Sequence, residues 1–179
     1  MEGKMEELLL EALNQNKIVS VYTNAEDTSH FNAGIVRKLQ DGFFLLEETD
    51  PTGKEDGFAI FDIQDIVMLS SDGQYEKRIQ KIMEVNPAES RELPLLGKET
   101  DSLNDRMLNY AIKNKRIVSF LFIDREDISG FVKGYTDEII EIEVIDFYGN
   151  RDGQTAIRKE LIQRMRIMTA DERALEKIM

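Results

Sequence analysis

The sequence predicts a duplicated, mostly β protein in which each copy runs helix, five short antiparallel strands, helix. The first observation is a long internal repeat. Ala12–Tyr22 (ALNQNKIVSVY) returns as Ala111–Leu121 (AIKNKRIVSFL), and Gly34-Ile35-Val36 returns as Gly130-Phe131-Val132. Asp41, Asp50, Gly53 and Asp56-Gly57 then meet Asp137, Asp146, Gly149 and Asp152-Gly153 without a gap. The second observation is that short β-branched and aromatic runs in each copy are punctuated by Asp, Gly and Pro turns. The third is an amphipathic helical period at both ends of each copy. Two domains follow, 1–84 and 102–179, joined by a linker at 85–101 that holds Pro87 and Pro94. Leu93, Leu95 and Leu96 give that linker apolar side chains with which to pack. Each copy is near the size at which one core only just suffices, so the copies are expected to lean on each other or on another chain.

Taken in order, Met5, Leu8, Leu9, Ala12 and Leu13 place apolar groups at helical spacing, with glutamates between them. Leu103, Met107, Tyr110 and Ala111 answer them in the second copy, where Ser102 and Asp105 make a capping-box-like start. Ile18–Tyr22 and Ile117–Ile123 are apolar enough to be strands buried on both faces. Phe31–Leu39 and Ile128–Tyr135 are second strands, each opening near a glycine where the chain can bend sharply. Phe43–Glu48 is a third strand, matched by Ile140, Ile142 and Val144 alternating with Glu141 and Glu143. Fourth strands lie around Phe58–Phe61 and Gln154–Ile157, and fifth strands around Ile66–Leu69 and Met165–Met168. Closing helices are expected from Ser71 and Thr169, whose Gln74 and Glu172 three residues on complete capping boxes.

Composition narrows the function classes. The chain has 23 basic and 35 acidic residues, a net charge of −12. Residues 1–98 hold 10 basic against 19 acidic, and residues 99–179 hold 13 against 16, so the first copy carries most of the excess. Such a chain repels phosphate at long range. No apolar run approaches the ~20 residues of a membrane span, and the glutamates of residues 1–16 do not fit a secretory signal. Cysteine is absent, which excludes disulfides and thiolate metal sites and fits a reducing cytoplasm.

The order of elements, with Gly34-Ile35-Val36, Leu39 and Asp41 in one copy and Gly130-Phe131-Val132, Tyr135 and Asp137 in the other, resembles the Sm-like fold, including its bacterial host-factor branch. Ile157-Arg158-Lys159 resembles that family's hydrophobic-Arg-Gly turn between strands four and five, with Lys in place of Gly. The resemblance covers 5–70 and 103–168. It implies two tandem, small, strongly bent five-stranded antiparallel barrels, each with an N-terminal and a C-terminal helix. It also implies association edge to edge and RNA held in the turns. Two departures stand against RNA, in the first copy especially: Asp41-Gly42 and Asp137-Glu138 replace the family's base-contacting Asn in both copies, and the first copy's Phe61-Asp62-Ile63 lacks an arginine.

Chemistry-bearing motifs are sparse. His30 sits alone in a loop with no nucleophile motif nearby and reads as a surface residue. Thr52-Gly53-Lys54 lacks the remaining phosphate-loop positions and reads as a hairpin turn. Glu47-Glu48-Asp50 and Asp124-Glu126-Asp127 lack calcium-loop spacing and read as solvated loops. No catalytic triad, zinc signature or nucleotide fingerprint is present, so no enzyme, metal or cofactor is predicted. One basic stretch stands out. Arg151, Arg158, Lys159, Arg164 and Arg166 against Asp152 and Glu160 give residues 151–166 a local charge of +3, with Tyr135 and Tyr148 available to stack on bases. The function read from the sequence is a binding module taking single-stranded RNA through the second copy. A protein–protein scaffold built on the acidic first copy and the sheet edges is the alternative, with self-association through those edges.

Overall fold

A computed structural model describes residues 3–179. Helix α1 (Lys4–Gln15) leads into strands β1 (Ile18–Tyr22), β2 (Asn32–Gln40), β3 (Phe43–Thr49), β4 (Glu55–Asp62) and β5 (Met68–Ser71), and α2 (Gln74–Val85) follows. The second series is α3 (Leu103–Asn114), β6 (Ile117–Leu121), β7 (Ile128–Tyr135), β8 (Ile139–Ile145), β9 (Arg151–Arg158), β10 (Arg164–Ile167) and α4 (Ala170–Ile178). A single 3-10 turn joins the fourth and fifth strands of each series, at Ile63–Asp65 and Lys159–Leu161.

The expected pair of closed barrels is corrected by the strand order. In the first series the strands run β5-β1-β2-β3-β4 and in the second β10-β6-β7-β8-β9, each an open antiparallel run. A barrel closes when the two strands at the ends of its order pair; in each series these are the fourth and the fifth, and they do not pair with each other. β5 hydrogen-bonds to β1 through Val19↔Ser71 to Tyr22↔Met68 and ends the order there. β9 likewise pairs only with β8.

The chain divides into two compact units, Met1–Gly57 with Phe61–Glu92, and Phe58–Ile60 with Leu93–Met179. In the first unit Leu9 and Ala12 of α1 are buried with Val19, Val21, Val36, Leu45 and Leu46. Phe44 stacks on Phe61 at 5.1 Å, and Ile79 of α2 closes on Ile18 and Ile35. In the second unit Leu103, Met107, Leu108 and Ala111 of α3 are buried, as are Ile117, Val118, Phe120, Ile142, Met165 and Ile167 of the strands. Each fully buried large aliphatic or aromatic side chain contributes about 1.5–3 kcal/mol relative to exposure. Because strand residues dominate both sets, the sheet rather than the helices organises each core.

Local devices recur at equivalent positions. α1 ends on Asn16 and α3 on Lys115, both left-handed at φ 52°. A Cβ at Gly34 would collide with the Glu47 carbonyl oxygen, and one at Gly130 with that of Glu143. Each glycine is followed by a register shift, at Val36/Lys38 in β2 and at Val132/Gly134 in β7. Close approach and bulge together bend the second strand, as the glycine positions predict.

The first closing helix departs from expectation. Ser71 belongs to β5, Asp72 takes φ 59°, and α2 begins at Gln74 with Gly73 at its N-cap and no side-chain cap. The second capping box is present: Thr169 Oγ1 donates to Glu172 Oε2 at 2.5 Å, and the Thr169 backbone N–H donates to the same oxygen at 2.8 Å. The Glu47-Glu48 pair is also unlike a solvated loop, because both residues lie buried in β3. Arg37 donates to Glu47 at 2.6 Å and Asn32 to Glu48 at 2.5 Å, which offsets the cost of burying the charges.

Candidate functional site: an open groove in the second unit

In both units the serine of the repeated Lys/Arg-Ile-Val-Ser signature meets a buried glutamate of the closing helix. Ser20 Oγ donates to Glu76 Oε1 at 2.5 Å, and Ser119 Oγ donates to Glu172 Oε1 at 2.6 Å. These equivalences align the two units residue by residue, and the alignment exposes where they differ.

Over this serine–glutamate pair the second unit carries a groove of about 860 Å³. Its floor comes from Ser119 of β6, Ile128 and Ser129 of β7, and Val144 and Ile145 of β8. Leu175 and Ile178 of α4 form one apolar wall. The turn Asp146-Phe147-Tyr148-Gly149 forms the other. Asp146 Oδ1 accepts backbone N–H groups of Tyr148 at 2.9 Å and Asn150 at 2.7 Å, which fixes the turn. The Asn150 backbone donor is the largest influence holding the Asp146 carboxyl below its ordinary pKa. Gly149 has φ 81°, and a Cβ there would stand 2.8 Å from Ile178 Cγ1, so turn and helix are pressed together at this point. Phe147 and Tyr148 point away from that contact, 85% and 75% exposed, with their rings edge to face at 5.5 Å. Glu126, Asp127, Asp152 and Asp171 edge the groove, with Arg166 as the cation among its lining residues.

At two of the equivalent positions the first unit carries aromatic residues instead. Phe31 stands in place of Asp127 and Tyr75 in place of Asp171. Phe31 packs edge to face on Tyr75 at 5.1 Å and tilted on Tyr22 at 5.1 Å. The turn there reads Pro51-Thr52 where the second unit has Phe147-Tyr148. The two units thus carry their rings at non-equivalent positions, beside the second strand and closing helix in one and on the turn in the other.

The residues predicted to touch RNA do not form one patch. Arg151 and Arg158 lie at opposite ends of β9, about 23 Å apart along an extended strand. Both are exposed, and Arg151 is paired with Glu143. Lys159 Nζ lies 2.7 Å from Asp105 Oδ1 and 4.7 Å from the centre of the Tyr135 ring. The Tyr135 hydroxyl donates to Asn109 Oδ1 at 2.7 Å. Arg164 and Arg166 are half-buried on β10, and Arg166 stands 4.0 Å from Asp171. Lys159 and Tyr135 therefore come together, and Arg166 and Tyr148 line the same groove. Among the described residues no group of His, Cys, Asp and Glu is arranged to hold a metal ion, and no helix is long and apolar enough to cross a membrane. His30 is exposed, with Nδ1 2.8 Å from Asp27.

In the sequence alone Phe147, Asp171 and Ser119 carry no functional mark, Glu172 reads only as a helix cap, and Asp127 reads as loop charge. The available signal was the set of positions where an otherwise faithful repeat exchanges aromatic for acidic residues. Comparison of the chain with protein-family models, with curated proteins and with solved structures finds no match.

Proposed function

We propose that this chain is a non-enzymatic protein-interaction module whose second unit grips a segment of a partner protein in the groove. The observation that carries this reading is the pair of adjacent rings, Phe147 and Tyr148, standing 85% and 75% exposed beside a partly apolar groove of about 860 Å³. Aromatic rings bury about 150–250 Å² each and dominate interface energetics. Exposing two of them beside a cavity is costly in a monomer and useful at an interface. The cytoplasmic placement read from the cysteine-free composition is compatible with such a role.

Single-stranded RNA held through Arg151, Arg158, Lys159, Arg164 and Arg166, with Tyr135 and Tyr148 stacking, is the competing reading. The ion pairs on Arg151 and Lys159 weigh against it, since phosphate would have to displace Glu143 and Asp105. The two readings separate with a photo-reactive phenylalanine analogue placed at Tyr148 of the full chain in cells. Adducts that protease collapses and nuclease leaves intact are expected. The captured protein, once purified, should bind the full chain at least tenfold more weakly after Phe147→Ser/Tyr148→Ser. Nuclease-sensitive adducts that require Arg158 and Lys159 would overturn the proposal in favour of RNA.

A further inference from the structure

The groove has an electrostatic character that its counterpart in the first unit lacks, and this selects the chemistry of its occupant. Its apolar lining includes Ile128 and Val144 on the floor and Leu175 and Ile178 on the wall. Asp146 and Glu172 also line it, but their carboxylates are engaged by the turn and by the helix cap. The carboxylates of Glu126, Asp127 and Asp152 make no ion pair among the described residues. Asp171 stands at the limit of ion-pair distance, 4.0 Å, from Arg166. Four outward carboxylates thus face one guanidinium across a concave, partly apolar surface. A cleft lined by one sign of charge focuses its field and raises the local concentration of the opposite sign.

We propose that the groove takes a basic, amphipathic peptide segment, in which arginine or lysine pairs with Asp127, Asp152 and Glu126 while neighbouring apolar side chains enter between the Phe147–Tyr148 rim and the Leu175–Ile178 wall. This rests on the reading of the chain as a protein-interaction module. The exposed faces of Phe147 and Tyr148 add to the preference, because a cation within about 6 Å of a ring centre is attracted to it. An anionic segment meets the same carboxylates as repulsion. The first unit is the internal contrast. With His30, Phe31 and Tyr75 where the second unit has Glu126, Asp127 and Asp171, it lacks three of these four carboxylates, and two of the replacements are rings packed on each other.

The test is selection of a phage-displayed random peptide library on the full chain, followed by titration of the enriched peptides by fluorescence anisotropy. Two variants are titrated alongside. Asp127→Phe/Asp171→Tyr grafts the first unit's rings into the groove, and Asp127→Asn/Asp152→Asn removes charge with little change of shape. Enriched peptides should carry arginine or lysine beside leucine, isoleucine or aromatic residues. Their affinity should fall at least tenfold with the graft and at least threefold with the asparagine pair, and should weaken as salt rises. Enrichment of peptides without basic residues that still lose affinity on grafting overturns the charge inference and leaves the partner reading standing. Peptides indifferent to both variants, or no enrichment, overturn both. Should the graft fail to fold by circular dichroism, the asparagine pair alone decides, since it leaves every apolar contact in place.

Discussion

Replacing Ser119 by alanine removes one oxygen and tests how the second unit is tied together. Ser119 Oγ donates to Glu172 Oε1 at 2.6 Å, and it shares a 2.8 Å hydrogen bond with Ser129 Oγ. Glu172 is wholly buried and keeps two other short bonds, both from Thr169. The substitution leaves one oxygen of a buried carboxylate without its side-chain donor. A hydrogen bond to a charged group contributes about 1.5–3 kcal/mol net. Loss of the weaker Ser129 partner adds about 0.5 kcal/mol at most, because that side chain is only half-buried and regains water. The expected cost is therefore about 2–3 kcal/mol. For a unit of this size it lowers the melting midpoint by roughly 8–24 °C. Ser20→Ala in the first unit should cost a comparable amount through Glu76, and Ser129→Ala less than about 1 kcal/mol. Because two units need not melt together, hydrogen exchange resolved by strand is the assay. Ser119→Ala should speed exchange in β6 and leave β1 protected, and Ser20→Ala the reverse. A Ser119→Ala chain within about 0.5 kcal/mol of the parent, the usual scatter for a surface change, would refute the claim that this pair fastens the closing helix to the sheet.

Two further outcomes follow from the same geometry. Gly34→Ala and Gly130→Ala each drive a methyl group into a backbone carbonyl, of Glu47 and of Glu143, so each should destabilise by about 1–3 kcal/mol in urea titration, and a neutral result in both would contradict the close strand crossing. The Asp146 carboxyl, held below its ordinary value chiefly by the Asn150 backbone donor, should add stability to its turn at neutral pH and lose it as pH falls below the unfolded value of about 3.9 and through the lower folded one; a carboxyl titration by NMR with a midpoint at or above 3.9 would sink that account.

Much of each unit was legible because its signals are local. The repeat, the β-branched runs and the turn residues place all ten strands to within a few residues of where they lie, and Thr169-x-x-Glu172 marks a real cap. Ser71-x-x-Gln74 has the same letters without the cap, since Asp72 in the left-handed region carries β5 into the helix two residues later. The burial of Glu47 and Glu48 was hidden because their partners, Arg37 and Asn32, come from the neighbouring strand. Closure into barrels was not legible at all. It depends on which strand edges meet, and the alternation along a strand is the same whether its edge is closed or open. The groove was equally silent, because residues 127, 147 and 171 share no motif and meet only through the bend of β7 and the seating of α4.

The acidic border of that groove has a bearing on colloidal behaviour as well as on recognition. Two bare aromatic rings on a surface turn are an invitation to self-association, and a chain concentrated in solution would ordinarily pay for them in precipitation. Here any second copy approaching ring to ring brings its own Asp127, Asp152 and Glu126 against the same three residues. Like charges gathered at the place of contact act as gatekeepers, so these carboxylates keep the rings available to a cationic visitor while holding identical neighbours apart.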